Sequence, residues 1–194
     1  MRAGEVKRKT KETDIAVRIE LDGKGIYDVK TDIPFLTHML ELFAKHGLFD
    51  LVIRAKGDIE VDYHHTVEDL GLALGGAVAK AVGDKSGIRR YGFFTLPMDE
   101  VLATVALDLS GRPFLVYDLQ SPTEKVGDID TRLFKEFFQA LCAKAEMTLH
   151  VTLQHGGESH HIFEAVFKAF AKALSMAVAK DDRVEGVPST KGVL

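Results

Sequence analysis

A chain of 194 residues that is 46% hydrophobic and 28% charged carries enough apolar material for one sizeable core or two small halves. Its formal net charge of -4 and pI near 6.1 give no reason to expect nucleic acid or an anionic membrane as a partner. The single cysteine, Cys142, excludes an intrachain disulfide and a thiolate-rich metal site, and it suits a reducing cytoplasm.

Met1-Arg2-Ala3-Gly4 leads into charge rather than an apolar run, so no secretory signal is expected. Val6 to Thr13 predicts an edge strand. Ile15, Val17, Ile19 and Leu21 alternate with mostly polar residues, as in a half-buried strand. Asp22-Gly23-Lys24-Gly25 is a turn signal, and Ile26 to Ile33 reads as the returning strand. Pro34 opens a helix marked by Phe35, Leu36, Met39, Leu40 and Phe43, which His46-Gly47 should close. Leu48 to Ala55 predicts a strand and Lys56-Gly57-Asp58 a turn. The helix that follows is apolar nearly all round from Leu70 to Val82, and Gly71, Gly75 and Gly76 within it predict close approach to a neighbouring helix.

Tyr91 to Leu96, Val101 to Leu109 and Phe114 to Leu119 repeat the strand pattern, with Ser110-Gly111 as a turn. Ser121 to Asp130 reads as a polar loop. Phe134, Phe137, Phe138 and Leu141 have helical spacing, and Met147 to Gln154 alternates as a strand. His155-Gly156-Gly157 then turns the chain into a last helix. Its apolar run from Phe163 to Ala179 is broken by Glu164, Lys168 and Lys172, so it predicts a buried helix rather than a membrane span. Lys168 and Lys172 mark the stripe expected to meet water or a partner.

The two halves are related. A shift of 96 positions carries His64, His65 and Glu68 onto His160, His161 and Glu164, and Ala73, Ala77 and Val82 onto Ala169, Ala173 and Val178. The preceding helix and strand match at a shift of 98, which carries Phe35 onto Leu133 and Leu51 onto Leu149. Each half reads strand, strand, strand, helix, strand, helix, with a boundary between residues 92 and 93 inside one compact domain. The fold expected is α+β: two four-stranded sheets enclosing four helices, because helices apolar all round need cover on both sides.

In each His-His-x-x-Glu segment the glutamate lies four residues after one histidine and three after the other, within helical reach of both. The adjacent imidazoles diverge by about 100°. Two ions shared between copies of the motif therefore fit better than one ion per motif. The 98-residue shift places His38 on Glu136, which adds two candidate ligands from the first helix of each half. An all-nitrogen-and-oxygen donor set suits Mn, Fe, Zn or Ni, and the carboxylate share favours the harder Mn. Arg89, Arg90, Arg112 and Ser189-Thr190-Lys191-Gly192 are anion-binding candidates. His46 fits a helix-end cap, and His150 and His155 fit the surface. From the residues alone, a di-metal hydrolase or deaminase and a non-catalytic metal-binding shell remain open readings.

Phe35-Leu36-Thr37-His38-Met39-Leu40, Asp62-Tyr63-His64-His65-Thr66-Val67-Glu68-Asp69 and Ser159-His160-His161-Ile162-Phe163-Glu164-Ala165 resemble the imidazoleglycerol-phosphate dehydratase family. So do Lys11-Glu12-Thr13, Gly111-Arg112-Pro113 and Pro188-Ser189-Thr190-Lys191-Gly192, and the chain has the length of the stand-alone form. The resemblance implies a hydro-lyase of histidine biosynthesis in the cytoplasm. It implies two Mn ions per site, held by His38, His64, His65, Glu68, His160, His161 and Glu164. Members often carry histidine where this chain has Glu136, and an acidic residue where it has Thr37. Glu12, His46, Arg90, Arg112, Ser189 and Lys191, with His38, His64, His65 and Glu68, match positions that contact the imidazole-bearing phosphate substrate. Glu12 is the expected proton shuttle. The resemblance further implies a homo-oligomer of 24 subunits built from trimers, with sites at subunit boundaries.

Overall fold

The structure, a computed structural model, describes residues 2–194. The first half runs β1 (Ala3–Lys9), β2 (Thr13–Glu20), β3 (Tyr27–Lys30), α1 (Pro34–Gly47), β4 (Asp50–Gly57) and α2 (His64–Val82). The second repeats it as β5 (Tyr91–Met98), β6 (Val101–Asp108), β7 (Phe114–Asp118), α3 (Leu133–Ala145), β10 (Thr148–His155) and α4 (Ser159–Val178). One element has no counterpart. The polar loop expected from Ser121 to Asp130 holds a small hairpin of β8 (Lys125–Val126) and β9 (Ile129–Asp130).

Both sheets have four strands, in the orders β1-β2-β4-β3 and β5-β6-β10-β7. This corrects the expectation that Ile26 to Ile33 returns alongside the preceding strand. β4 takes that place, and the shorter β3 pairs parallel to β4 on its far side. Thr13 likewise belongs to β2 rather than to the edge strand. Alternation in β2 and β6 puts Ile15, Val17 and Ile19, and Val101, Ala103 and Val105, on the covered faces.

The helices fill the space between the sheets. α2 packs on β1 and β2, α4 on β5 and β6, and the helices meet across the halves as α1 with α4 and α2 with α3. Phe43 stacks on Phe170 at 5.3 Å and Phe35 meets Phe134 edge-on at 5.9 Å, so the core belongs to both halves at once. Glycines set the layer spacing. A Cβ on Gly71 or Gly75 would lie 2.5 Å from the Phe137 carbonyl oxygen or 2.4 Å from that of Leu141, on α3. Gly76 differs from expectation, since its neighbour is the Val6 side chain of β1.

The hairpins repeat as faithfully as the helices. β1–β2 pairs Ala3 with Glu20 and β5–β6 pairs Tyr91 with Asp108, the same register at a shift of 88. That shift carries Gly4 onto Gly92. A Cβ at Gly4 would sit 2.0 Å from the Ala77 oxygen, and one at Gly92 would sit 1.9 Å from the Ala173 oxygen. At the end of α1 the glycine signal is off by one residue. Gly47 is still helical and Leu48 takes the left-handed position at φ 59°.

Candidate metal centre

The pairing of helices decides which ligands meet. Because α1 packs on α4, His38 is delivered to the start of the second motif. His160 Nε2 lies 3.3 Å and His38 Nε2 3.7 Å from Glu164 Oε2, and the two rings are 5.9 Å apart. These three residues have ligand atoms close enough to share one ion. Because α2 packs on α3, Glu136 and His64 line one cavity with Tyr63, and His64 Nε2 lies 3.5 Å from Glu68 Oε2. The first group therefore draws donors from both halves, and the cavity beside His64 is lined from both.

The second histidine of each motif joins neither group. The His64 and His65 rings are 6.2 Å apart at 89°, and the His160 and His161 rings 6.2 Å apart at 84°. His65 Nδ1 faces Asp58 Oδ2 at 3.0 Å and Glu12 Oε2 at 4.0 Å, whereas His161 Nδ1 faces Glu100 Oε2 at 3.1 Å. A carboxylate on Nδ1 fixes the tautomer and leaves Nε2 free to bind a metal. These bonds, with the neighbouring negative charge, raise both imidazoles above their ordinary pKa.

Glu164 has the least exposed side chain of its group. Burial works against its charge, but the hydrogen bond and charge of Lys168, with His38 and His160 beside it, outweigh that and hold the carboxyl below its ordinary pKa. Lys168 was expected to mark a stripe facing water or a partner. Instead its ammonium donates to Glu164 four residues earlier. His46, at the end of α1, is lowered in pKa by burial and then by Lys168 and Lys172. Thr37 does not reach His38; its hydroxyl pairs with Thr31 at 2.8 Å.

Arg90, Arg112, Ser189 and Lys191 come together along one cleft with Tyr91 and Thr190. Arg90 has three N–H groups committed: Nε and Nη2 donate to Asp108 at 2.7 and 3.0 Å, and Nη1 donates to the Pro188 carbonyl at 2.9 Å. Two N–H groups remain for an anion. Arg89, by contrast, pairs with Asp181 at 3.9 Å. The cleft shares no lining residue with the cavities beside His64 and His38. Glu12 lines a separate recess with Lys11, Asp58 and Glu60.

The sequence pattern does not place three residues at the site: Lys168, Glu100 and Asp58. Of these, Lys168 could have been found from its i, i+4 spacing to Glu164. Glu100 becomes legible once the hairpin shift of 88 is known, because Glu12 falls on it. Asp58 has no counterpart in the repeat that would have signalled it.

Fold and site together define a class: a duplicated sheet–helix–helix–sheet protein whose two His-His-x-x-Glu helix starts present imidazole and carboxylate donors, three of which converge at His38, His160 and Glu164. A family model described as imidazoleglycerol-phosphate dehydratase matches residues 31–174. Imidazoleglycerol-phosphate dehydratase of Caldanaerobacter subterraneus subsp. tengcongensis is 58% identical over 194 residues, covering 100% of both chains. That of Acetivibrio thermocellus is 57% identical over 190 residues, covering 98% of this chain and 97% of the other. The Staphylococcus aureus imidazoleglycerol-phosphate dehydratase structure is similar at TM-score 0.84 and 38% identity, covering 92% of this chain and 99% of that one. The chain belongs to the imidazoleglycerol-phosphate dehydratase family. Its reaction is that of a hydro-lyase of histidine biosynthesis, elimination of water from imidazole glycerol phosphate.

Proposed function

We propose that two manganese ions serve each active site. One is held by His38, His160 and Glu164 and the other by His64, Glu68 and Glu136, with His65 and His161 completing the centres of neighbouring copies. The observation that carries this is the convergence of His38, His160 and Glu164, whose ligand atoms lie within 4.8 Å of one another. The donors are imidazole and carboxylate throughout, a set that fits Mn. His65 and His161 are turned from their own groups with Nε2 free, as residues donated to another subunit would be. We read the assembly as a shell of 24 subunits built from trimers, with sites at subunit boundaries. The separation of the anion cleft from the imidazole groups within one chain supports that reading. The lone buried cysteine suits the cytoplasm.

In this site Arg90, Arg112, Ser189 and Lys191 hold the substrate phosphate, remote from the reacting carbons. Binding there converts affinity into orientation of the glycerol chain. Ions held by the imidazole and carboxylate groups named above would supply Lewis acidity to the bound substrate. Glu12 carries the proton that turns the product enol into the ketone, imidazole acetol phosphate. Lys168 keeps Glu164 ionised, the state a metal ligand requires.

The test is turnover. Protein stripped by chelation should be inactive on imidazole glycerol phosphate and regain enol and ketone formation with Mn. A rate unaffected by chelation would overturn the metal assignment.

A further inference from the structure

The hairpins β1–β2 and β5–β6 share one register at a shift of 88, so Glu12 and Glu100 occupy equivalent turn positions. They are used differently. Glu100 faces His161 Nδ1 at 3.1 Å, while in the first half Asp58 has taken over that bond and leaves Glu12 4.0 Å from His65.

The ground behind the two turns differs as well. Thr10 Oγ accepts the backbone N–H groups of Glu12 at 3.0 Å and Thr13 at 2.9 Å. The buried Thr13 hydroxyl donates to Asp69 Oδ2 at 2.5 Å, so in its 3.2 Å contact with Thr10 it is the acceptor. Asp69 is itself buried on α2, one residue beyond Glu68. Arg8 Nε stands 2.8 Å from Asp69 Oδ1 as an ion pair, off the line its N–H needs for a hydrogen bond. A directed relay thus runs from the Glu12 amide through Thr10 and Thr13 to Asp69.

In the second half the positions of Arg8, Thr10, Thr13 and Asp69 are taken by Leu96, Met98, Val101 and Ala165. All four are apolar, and Val101 and Ala165 are fully buried. At the matched positions the second half therefore uses apolar side chains, with Lys168 Nζ 3.9 Å from Met98 Sδ. Buried ion-paired networks are often no more stabilising than apolar packing of similar volume. Stability alone gives no reason for the first half to differ.

We propose that the Thr10–Thr13–Asp69 relay is a positioning device for Glu12. It ties the β1–β2 turn to the helix that carries His65 and Glu68, and so fixes the distance from the Glu12 carboxylate to the site. After duplication, one turn glutamate orients a histidine and the other, freed by Asp58 and steadied by the relay, transfers protons. This rests on the assignment of the proton shuttle to Glu12. Thr13 and Asp69 touch no reacting atom.

The test places the second half's residues in the first. Thr13→Val with Asp69→Ala is measured in the wild-type and Glu12→Gln backgrounds, with Thr13→Ser as the conservative variant. Misplacing a catalytic group by about 1 Å costs roughly 100-fold. The double swap should therefore lower kcat about 10- to 100-fold, with KM and bound Mn unchanged. Thr13→Ser should recover most of the rate, and the swap should cause no further loss in Glu12→Gln. A swap within twofold of wild-type kcat overturns the relay, as does an equal loss in both backgrounds. A near-normal rate for Glu12→Gln alone refutes the shuttle assignment and the relay's purpose with it. Should the double swap fail to assemble, Thr13→Val alone breaks the relay at its middle and is judged by the same criteria.

Discussion

Glu164 shows how much of this site is decided one residue at a time. Its carboxylate faces two imidazoles from different helices and the Lys168 ammonium from its own. The contacts within α4 follow from helical spacing, which is why His160, Glu164 and their first-half copies were legible in the sequence. His38 became legible through the repeat. Glu100 and Asp58 did not, because a carboxylate that reaches an imidazole from a hairpin turn or a preceding loop leaves no periodic trace. Their role predicts a measurable effect. Removing a carboxylate that orients a metal-binding histidine costs about 10- to 100-fold in metal affinity. Glu100→Ala should weaken Mn binding by that factor in a metal titration, and unchanged affinity would show that His161 needs no such support.

At the scale of elements, helices were read more accurately than strand order. Apolar spacing marks a helix and its buried face, whereas the insertion of β4 between β2 and β3 is settled by which edges meet in three dimensions. One side chain helps hold this order. Asp50, the first residue of β4, accepts the backbone N–H groups of Lys24 at 2.8 Å and Ile26 at 2.9 Å, clipping the link between β2 and β3 onto β4. Those two bonds hold its carboxyl below the ordinary carboxylate range. A group with a depressed folded pKa stabilises the fold above its unfolded pKa, about 3.9, and loses that contribution as pH falls through the folded value. Asp50→Ala should therefore cost about 2 kcal/mol near pH 7. Its unfolding midpoint should approach that of wild type as the pH drops below about 4. A gap of the same size at both pH values would contradict this account of the clip.

At the scale of the molecule, duplication governs both core and site. α1 packs on α4 and α2 on α3, so neither half completes a layer alone, and His38 meets His160 and Glu164 only across the halves. Its helical shift was open in the sequence because the His-His-x-x-Glu segments are intact in both copies. The hairpin shift was obscured because the corner behind Glu12 and Glu100 is polar in one half and apolar in the other. Partner copies leave no trace in one chain's spacing, so the expectation of sites at subunit boundaries rests on resemblance. Among the described residues no helix is long and apolar enough to cross a membrane, and the exposed apolar side chains Phe93 and Phe114 lie on strands of the second sheet. The central claim is that the two half-derived ligand groups are separate metal centres completed by neighbouring subunits. Anomalous scattering at the Mn edge from Mn-loaded crystals tests it most directly. The account predicts two ions per chain, one on His38, His160 and Glu164 and one on His64, Glu68 and Glu136, with a neighbour's His65 or His161 in each coordination shell. A single ion per chain, or ions ligated without those neighbouring histidines, would contradict it.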